Sequence, residues 1–309
     1  MSSDRNTKRM KILITGGTGL IGSALSKTLN RLGHDVAVLT RKPSKNPHFK
    51  SYFWDPSKGE IDEDAFQNLD CIIHLAGANI ADNRWTKKYK QELFSSRVES
   101  ANFLFRKVKE LDVSLKSFIS SSAIGWYGAI TSDKIFIEQD PCANDFLGQL
   151  SKQWELAADQ FSDLGCLVSK VRSGIVLSSQ GGALPKMTKP IVWGLGASLG
   201  SGKQYIPWIH VDDLCAIYIH LLEGDLPVGV YNGVAPESVT NKELTDLLAQ
   251  ALNKTLWLPN IPSWVLRLLY GKMSALLLNG SRVSAEKLSA NGFEFKCPTI
   301  RRAIASIIY

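Results

Sequence analysis

Three regularly spaced glycines follow the first apolar stretch of the chain. Gly16, Gly19 and Gly22 lie directly after the apolar residues 11–15 and lead into a segment with the apolar periodicity of a helix. Such glycines allow a tight turn, close approach of the backbone to a pyrophosphate, and close packing of a helix whose N-terminus faces the anion. We therefore predict a dinucleotide phosphate site in this loop. Its residues are Gly16, Gly17, Thr18, Gly19, Leu20, Ile21 and Gly22.

The end of the next apolar segment, residues 35–40, indicates which dinucleotide binds. Proteins that bind NAD place a carboxylate there, which accepts a hydrogen bond from the ribose 2′-hydroxyl. This chain has Thr40, Arg41 and Lys42 at that end and no acid. The Arg41 guanidinium can form charge-assisted hydrogen bonds to a 2′-phosphate and stack on adenine. We therefore predict NADP(H) as the cofactor; the alternative is that Arg41 is an ordinary surface residue in a basic loop.

Apolar segments alternate with segments of helical periodicity along most of the chain. The predicted strands are residues 11–15, 35–40, 71–75, 117–121, 167–171 and 231–234. The predicted helices are residues 21–32, 87–111, 147–164, 211–222 and 240–252. This alternation predicts an α/β fold, a Rossmann doubly wound parallel sheet, with ligands at the carboxyl ends of the strands.

A change of composition after residue 177 indicates a second, smaller domain. Glycine and proline become frequent over residues 181–207, and residues 264–278 are apolar on nearly every side of a helix, which predicts burial against another element. We therefore expect a smaller C-terminal substrate domain beside the Rossmann domain. The predicted division is residues 11–177 for the Rossmann domain, with 208–235 returning to it, and 178–207 with 236–309 for the substrate domain.

The charge of the chain is positive but dispersed. Lysine and arginine outnumber acidic residues by 36 to 29, and no run of five basic residues occurs. An anionic cofactor or substrate accounts for this balance more simply than nucleic acid does, and a solvated basic surface is also favoured over a nucleic-acid role. We therefore expect a small-molecule partner and no nucleic acid.

Cysteine usage and the start of the chain bear on the compartment. The five cysteines are isolated and form no C-x-x-C pair, which argues against a zinc site or a disulfide framework and favours a reducing compartment. The first ten residues are polar and basic, and no apolar run approaches the ~18 residues of a membrane span. We expect a cytoplasmic protein with no metal and no membrane partner.

Taken in order, the motifs of this chain resemble those of the extended short-chain dehydrogenase/reductases. The nearer resemblance is to an atypical branch, the epimerase family (NAD-dependent epimerase/dehydratase-like) with a C-terminal domain of unknown function. It extends from Lys11 to the end of the chain and implies an NADP-type cofactor and a poorly defined substrate. The matching segments are residues 16–22, 74–77, 83–86, 96–98, 120–128, 181–184, 200–202, 208–213 and 292–295.

The resemblance assigns further residues to the site. The turn formed by Leu75, Ala76 and Gly77 would lie along the cofactor, although it could be a plain strand-to-helix turn. Ser122 matches the hydroxyl that binds the substrate carbonyl in relatives; the alternative is that it only satisfies local backbone groups.

The chain departs from the family where relatives carry Tyr-x-x-x-Lys, the pair that exchanges a proton during hydride transfer. Aligned on Glu155, this chain has Leu147 and Ser151 at those positions. Lys152 is one residue away, which turns it by ~100° around a helix. Tyr127, five residues after Ser122, is the nearest substitute for the missing phenol, and a packing aromatic is an equal interpretation. We therefore predict Ser122 and Tyr127 as the catalytic residues.

Three basic residues are candidates for binding an anionic substrate: Arg84, Arg97 and Lys186. Each could equally be an ordinary surface charge, and Arg97 replaces an asparagine of the relatives' proton relay. Two functions remain open. One is an NADP(H)-dependent oxidoreductase or epimerase acting on a small polar substrate, a class that includes sugar nucleotides. The alternative is a catalytically silent NADP(H)-binding regulatory or redox-sensing protein, which the missing pair favours.

Overall fold

One large sheet organises the chain in the computed structural model, which describes residues 9–43 and 49–308. Its strands run in the order β11-β8-β6-β5-β1-β2-β3-β4, and every neighbouring pair is parallel except β3 with β4. Two further pairs, β9 with β10 and β7 with β12, lie apart from it. The strands are β1 Lys11–Thr15, β2 Asp35–Thr40, β3 Lys50–Asp55, β4 Glu60–Ile61, β5 Cys71–His74, β6 Ser117–Ala123, β7 Ile135–Phe136, β8 Leu167–Ser173, β9 Ile175–Leu177, β10 Trp208–His210, β11 Val230–Gly233 and β12 Arg282–Val283.

Helices cover both faces of the sheet, as the predicted doubly wound fold requires. Ile12 and Leu25 belong to the core on the side of α1 and α6, whereas Leu13, Leu104 and Phe118 belong to the core on the other side. The helices are α1 Leu20–Arg31, α2 Lys87–Phe94, α3 Ser100–Glu110, α4 Phe146–Asp159, α5 Ala183–Val192, α6 Val211–Glu223, α7 Asn241–Ala251, α8 Ser263–Tyr270, α9 Ala275–Leu278, α10 Glu286–Ala290 and α11 Ile300–Ile308. The α/β Rossmann prediction is confirmed.

The late part of the chain builds a separate apolar cluster. Leu184 of α5, Leu244 of α7 and Ile300 of α11 pack together around Trp208. This cluster is tied to α6 by the buried Asp213, whose carboxylate accepts hydrogen bonds from the backbone N–H groups of Lys296 (2.7 Å) and Cys297 (3.0 Å). Residues more than eighty positions apart are thus joined where the last helix approaches the sheet.

Two expectations about secondary structure were wrong. Strand β3 was not predicted, although its Tyr52 and Trp54 alternate with more exposed residues, a signal that was too short to stand out. Residues 264–278, apolar on nearly every side of a helix, are predicted to be buried against another element, yet Trp264 is 67% exposed and Leu268 69% exposed. The segment is divided at Gly271 into α8, a 3-10 turn and α9, and the buried side chain of α8 is Leu266.

The predicted helix 87–111 is interrupted by a π-helical turn, Ser95–Glu99, between α2 and α3. π-Helical turns are rare and are frequent at functional sites. This turn contains Arg97, one of the predicted substrate-binding residues. No helix among the described residues is long and apolar enough to cross a bilayer.

Candidate functional site

A single cleft of about 2110 Å³ follows the carboxyl ends of the strands and continues between the sheet and helices α5 and α8. Pockets for one small ligand usually measure about 300–1,000 Å³. The cleft therefore has room for a dinucleotide and a second molecule beside it. Its position agrees with the expectation that ligands of a doubly wound sheet bind at the carboxyl edge.

The glycine loop forms one wall of the cleft. Gly16 has a φ of +66°, and a side chain there would meet the Leu75 carbonyl oxygen at 2.8 Å. A side chain at Gly22 would collide with the Gly16 carbonyl, so this glycine brings α1 against the loop. At Gly19 the nearest atom to an added Cβ is the Gly16 carbonyl oxygen at 3.2 Å, and the residue is exposed to the cleft. The loop thus presents open backbone at the N-terminus of α1.

One residue of this loop does not fit the prediction. Gly17 is buried and does not line the cleft. Its Cα faces the sheet, since a side chain there would meet Val38 of β2 at 2.6 Å. Its role is to pack the loop on the sheet. The other six predicted loop residues line the cleft: Gly16, Thr18, Gly19, Leu20, Ile21 and Gly22.

Basic residues at the end of β2 lie at one end of the cleft, as expected. Arg41 and Lys42 are exposed and line it together with Asp55 and Ser57, which follow β3 and were missed with that strand. Asp55 accepts hydrogen bonds from the Ser57 hydroxyl (2.6 Å) and N–H (3.1 Å), which hold its pKa below the usual value, with smaller contributions from Lys58 and Arg41. This end of the cleft therefore has one carboxylate, Asp55, and two cations, Arg41 and Lys42, so its net charge is positive.

The turn of Leu75, Ala76 and Gly77 lines the cleft and is fixed by Thr15. The Thr15 hydroxyl oxygen accepts hydrogen bonds from the N–H groups of Leu75 and Ala76, both at 3.1 Å, and lies 2.9 Å from His74 Nδ1. Burial lowers the pKa of His74 to about 4, so its ring is neutral at pH 7. The Arg97 carbonyl oxygen, 3.3 Å from Nε2, can only accept, so the proton of the neutral ring lies on Nε2 and the Thr15 hydroxyl donates to Nδ1.

His74 Nε2 in turn reaches the π-helical turn, where it donates to the Arg97 carbonyl oxygen at 3.3 Å. The Arg97 guanidinium lines the cleft and donates to the carbonyl oxygens of Ala78 (2.9 Å) and Leu93 (3.1 Å). An added Cβ at Gly77 would lie 3.1 Å from its Cζ. The π-turn thus holds a cation against the Leu75–Ala76–Gly77 turn.

Arg97 has no carboxylate within ion-pair distance among residues 9–43 and 49–308. Burial lowers its pKa to about 10, so the guanidinium stays charged at neutral pH. A half-buried charge that is partly removed from water and has no counter-ion is costly. This position therefore favours an anion in the cleft.

The hydroxyls of both predicted catalytic residues are turned away from the cleft. Ser122 does not line it, is 2% exposed, and donates to Glu155 Oε1 at 2.7 Å. The Tyr127 ring reaches the cleft wall, but its hydroxyl donates to Asn232 Oδ1 (2.6 Å) and accepts from Arg172 (3.1 Å). Burial raises the pKa of Tyr127 to about 12. The prediction of catalytic hydroxyls at these positions is corrected: they belong to a buried network around the Glu155–Arg172 ion pair.

Leu147 and Ser151 occupy the cleft wall on α4 where relatives carry the Tyr-x-x-x-Lys pair. Ser151 is buried, and its hydroxyl makes no hydrogen bond within the part of the chain that the structure describes. Lys152 is exposed and lies outside the cleft, as its one-residue displacement predicted. No lysine or tyrosine of α4 among the described residues supplies the usual proton-transfer groups.

The other two predicted substrate-binding residues, Arg84 and Lys186, lie in different surroundings from Arg97. Arg84 does not line the cleft, because its guanidinium donates to the carbonyl oxygens of Leu268 and Leu269, both at 2.8 Å, and so ties the loop before α2 to α8. Its predicted substrate contact is corrected. Lys186 of α5 lines the cleft, is exposed, and lies 3.4 Å from Asp82 Oδ1.

Comparison with known proteins identifies the family that the sequence of this chain matches. A sequence model described as the NAD dependent epimerase/dehydratase family matches residues 12–147, and one described as a domain of unknown function (DUF1731) matches residues 261–307. Epimerase family protein SDR39U1 of Homo sapiens is 34% identical over 304 residues, which cover 97% of this chain and 100% of that protein.

Two solved structures are similar along nearly the whole chain. The crystal structure of human SDR39U1 (isoform2) with NADPH has a TM-score of 0.84 and 33% identity, over 97% of this chain and 99% of that one. A nucleoside-diphosphate sugar epimerase from Corynebacterium glutamicum has a TM-score of 0.79 and 30% identity, over 98% of this chain and 59% of that one.

Proposed function

Since the chain belongs to the NAD dependent epimerase/dehydratase family, we propose that it binds NADPH and is an oxidoreductase of a small carbonyl compound or the corresponding alcohol. The observation that carries the proposal is the continuous cleft, which has an open phosphate loop and Arg41 in one half and space for a second ligand in the other. The NADPH bound by the human relative supports the same choice of cofactor.

The residues present fit this cofactor. The open face at Gly19 leaves room for a pyrophosphate at the N-terminus of α1, and Arg41 with Lys42 offers cations for a 2′-phosphate. Leu75, Ala76 and Gly77 would follow the middle of the dinucleotide. Arg97 lies against Gly77. Gly77 comes two residues after Leu75, whose carbonyl oxygen lies beside Gly16 of the glycine loop, so the Arg97 charge is in the cofactor half of the cleft. We propose that Arg97 faces the pyrophosphate and that only Lys186 remains near the second ligand.

NADPH, when bound, supplies a hydride to a carbonyl carbon. The carbonyl oxygen then needs a proton to give the alcohol and NADP⁺. Ser122 and Tyr127 hold their hydroxyl protons on Glu155 and Asn232, outside the cleft. Solvent that enters the cleft is therefore the proton source we propose, and turnover should be slow compared with relatives that use a positioned acid.

A second candidate function is a catalytically silent NADPH-binding regulator or redox sensor. Leu147 and Ser151 on the cleft wall favour it, because neither can replace the phenol or the ammonium group of working relatives. In that case the cofactor would bind without being consumed.

One experiment distinguishes the two functions. NADPH binding is measured by calorimetry, and NADPH absorbance is then followed with a panel of aldehydes and ketones, with Gly19→Val as the control that lacks the phosphate site. Substrate-dependent NADPH loss above the Gly19→Val background supports the oxidoreductase. Tight NADPH binding with no loss on any substrate supports the silent regulator, and no NADPH binding by a folded wild-type protein contradicts both.

A further inference from the structure

The half of the cleft farther from the glycine loop is lined mainly by apolar side chains. They come from α5, the segment that follows it, α8, the turn after α8, and α9. Six of them are Ile191, Leu195, Leu266, Leu269, Met273 and Leu276. This wall is continuous with the cofactor half, so a molecule that rests on it also reaches the cofactor. Its chemistry therefore decides what the second ligand can be.

Charged groups are nearly absent from this wall. Among the lining residues between 178 and 308 in the described ranges, Lys186 is the single charged side chain, and it is exposed beside Asp82. A sugar nucleotide carries a diphosphate, which proteins hold with arginines, lysines or several backbone N–H groups. Moving that dianion onto an apolar wall without partners is unfavourable. The wall therefore selects against a sugar nucleotide.

The polar side chains of this wall are mostly engaged by the protein itself. Asn241 Oδ1 accepts from the Leu199 N–H at 2.8 Å, Thr245 Oγ1 donates to the Asn241 carbonyl oxygen at 2.7 Å, and Ser281 Oγ donates to the Ile130 carbonyl oxygen at 2.7 Å. The phenols of Tyr205 and Tyr270 line the cleft and make no hydrogen bond to another described residue. Few polar groups thus remain to orient a ligand.

Resting on the function proposed above, we propose that this half of the cleft binds an uncharged, largely apolar carbonyl compound or its alcohol. The apolar side chains bind the body of the molecule through the hydrophobic effect, and a phenol can donate one hydrogen bond to its oxygen. The expectation of a small polar substrate is thereby replaced by an apolar one of the same reaction type.

The test uses two probes with the full chain saturated with NADP⁺. Prodan, an uncharged aryl ketone whose emission depends on polarity, represents the proposed class, and UDP-glucose represents the sugar nucleotides. Leu269→Glu places a charge on the wall, and Leu268→Glu is the matched control, because Leu268 is the preceding residue of α8, is 69% exposed and does not line the cleft. We expect blue-shifted, saturable Prodan binding that Leu269→Glu weakens at least tenfold and Leu268→Glu less than twofold.

Three results would overturn the proposal: no saturable Prodan binding, equal affinities in the two variants, or displacement of Prodan by UDP-glucose at lower concentration than Prodan itself requires. NADPH calorimetry and a Prodan titration without cofactor are run on the same samples. If the wild-type protein binds no NADPH but binds Prodan, and Leu269→Glu weakens that Prodan binding, the proposed function is contradicted and the apolar site is retained.

Discussion

The Arg97 guanidinium carbon lies 5.1 Å from the centre of the Trp154 ring, on the wall of the cleft. A guanidinium at this distance from an indole gains cation–π stabilisation, which partly compensates its desolvation. The ring and the π-helical turn together hold the charge in place without a carboxylate, and they leave it available for an anionic ligand.

Arg97→Gln should weaken NADPH and NADH binding to a similar degree, because both cofactors carry the pyrophosphate that we place beside it. Loss of a charge-assisted contact costs about 1.5–3 kcal/mol, or about ten- to a hundredfold in affinity. Calorimetry with both cofactors measures this, and circular dichroism checks the fold. Arg97→Lys, which keeps the charge, should lose less. An unchanged affinity for both cofactors in a folded Arg97→Gln would show that the guanidinium has no cofactor contact.

Arg41→Ala, unlike Arg97→Gln, should weaken the binding of one cofactor selectively. It removes the cation at the end of β2, so NADPH should bind about tenfold or more weakly, whereas NADH, which lacks the 2′-phosphate, should be affected little. Wild type should accordingly prefer NADPH. Arg31→Ala, at the exposed far end of α1, serves as the control. Equal affinities of the wild-type protein for the two cofactors would contradict the assignment of NADP(H).

Gly19→Val and Gly22→Val should fail for different reasons. At Gly19 a side chain enters the open face of the loop, so the protein should fold and lose NADPH binding. At Gly22 it collides with the Gly16 carbonyl, so the thermal midpoint itself should fall. Thermal unfolding with and without NADPH separates the two. A folded Gly19→Val that NADPH still stabilises would mean that the pyrophosphate lies elsewhere.

Tyr127→Phe should lower stability and leave NADPH affinity unchanged. The Asn232 side chain is fully buried and would lose its donor, which costs about 1–3 kcal/mol. Tyr270→Phe, which removes an exposed phenol, should cost almost nothing. Urea unfolding of both variants gives the free energies. If Tyr127→Phe unfolds like wild type but loses turnover a hundredfold, the phenol is catalytic after all.

Stability should fall as the pH drops from about 6.5 to about 4. The pKa of His74 is lowered to about 4 in the folded protein, so the unfolded chain binds the proton first and acid favours unfolding across that interval. At about 1.4 kcal/mol per pH unit the loss approaches about 3 kcal/mol, and none of it is present above pH 6.5. His74→Gln should flatten this part of the pH profile of unfolding. An equally steep profile in His74→Gln would assign the loss to other groups.

Local pattern was enough to predict the Rossmann sheet and to place the glycine loop and Arg41 at its carboxyl edge. In each case the deciding interactions lie within a strand, its turn and the following helix, so spacing along the chain reflects geometry. Lys152 is similar, since one residue of displacement on α4 fixes its direction.

The partners of Ser122 and Tyr127 could not be predicted in this way. Glu155 is 33 positions from Ser122 along the chain, and Asn232 is 105 positions from Tyr127. Only the packing of α4, β8 and β11 brings these groups together and turns the hydroxyls inward. The Arg84 contacts with α8 span a greater sequence distance still, and no motif near Arg84 predicts them.

The bond between Asp213 and the N–H groups of Lys296 and Cys297 has a consequence for how the chain is made. A ribosome releases residues in order, so α6 emerges long before the segment whose N–H groups bind its buried carboxylate. Until residue 297 has left the exit tunnel, the Asp213 carboxylate lacks these two donors, and burying it would leave a charged group unsatisfied. A nascent chain that stops short of residue 297 therefore carries an unsatisfied carboxylate on α6, and complete packing of this region has to follow the synthesis of that segment.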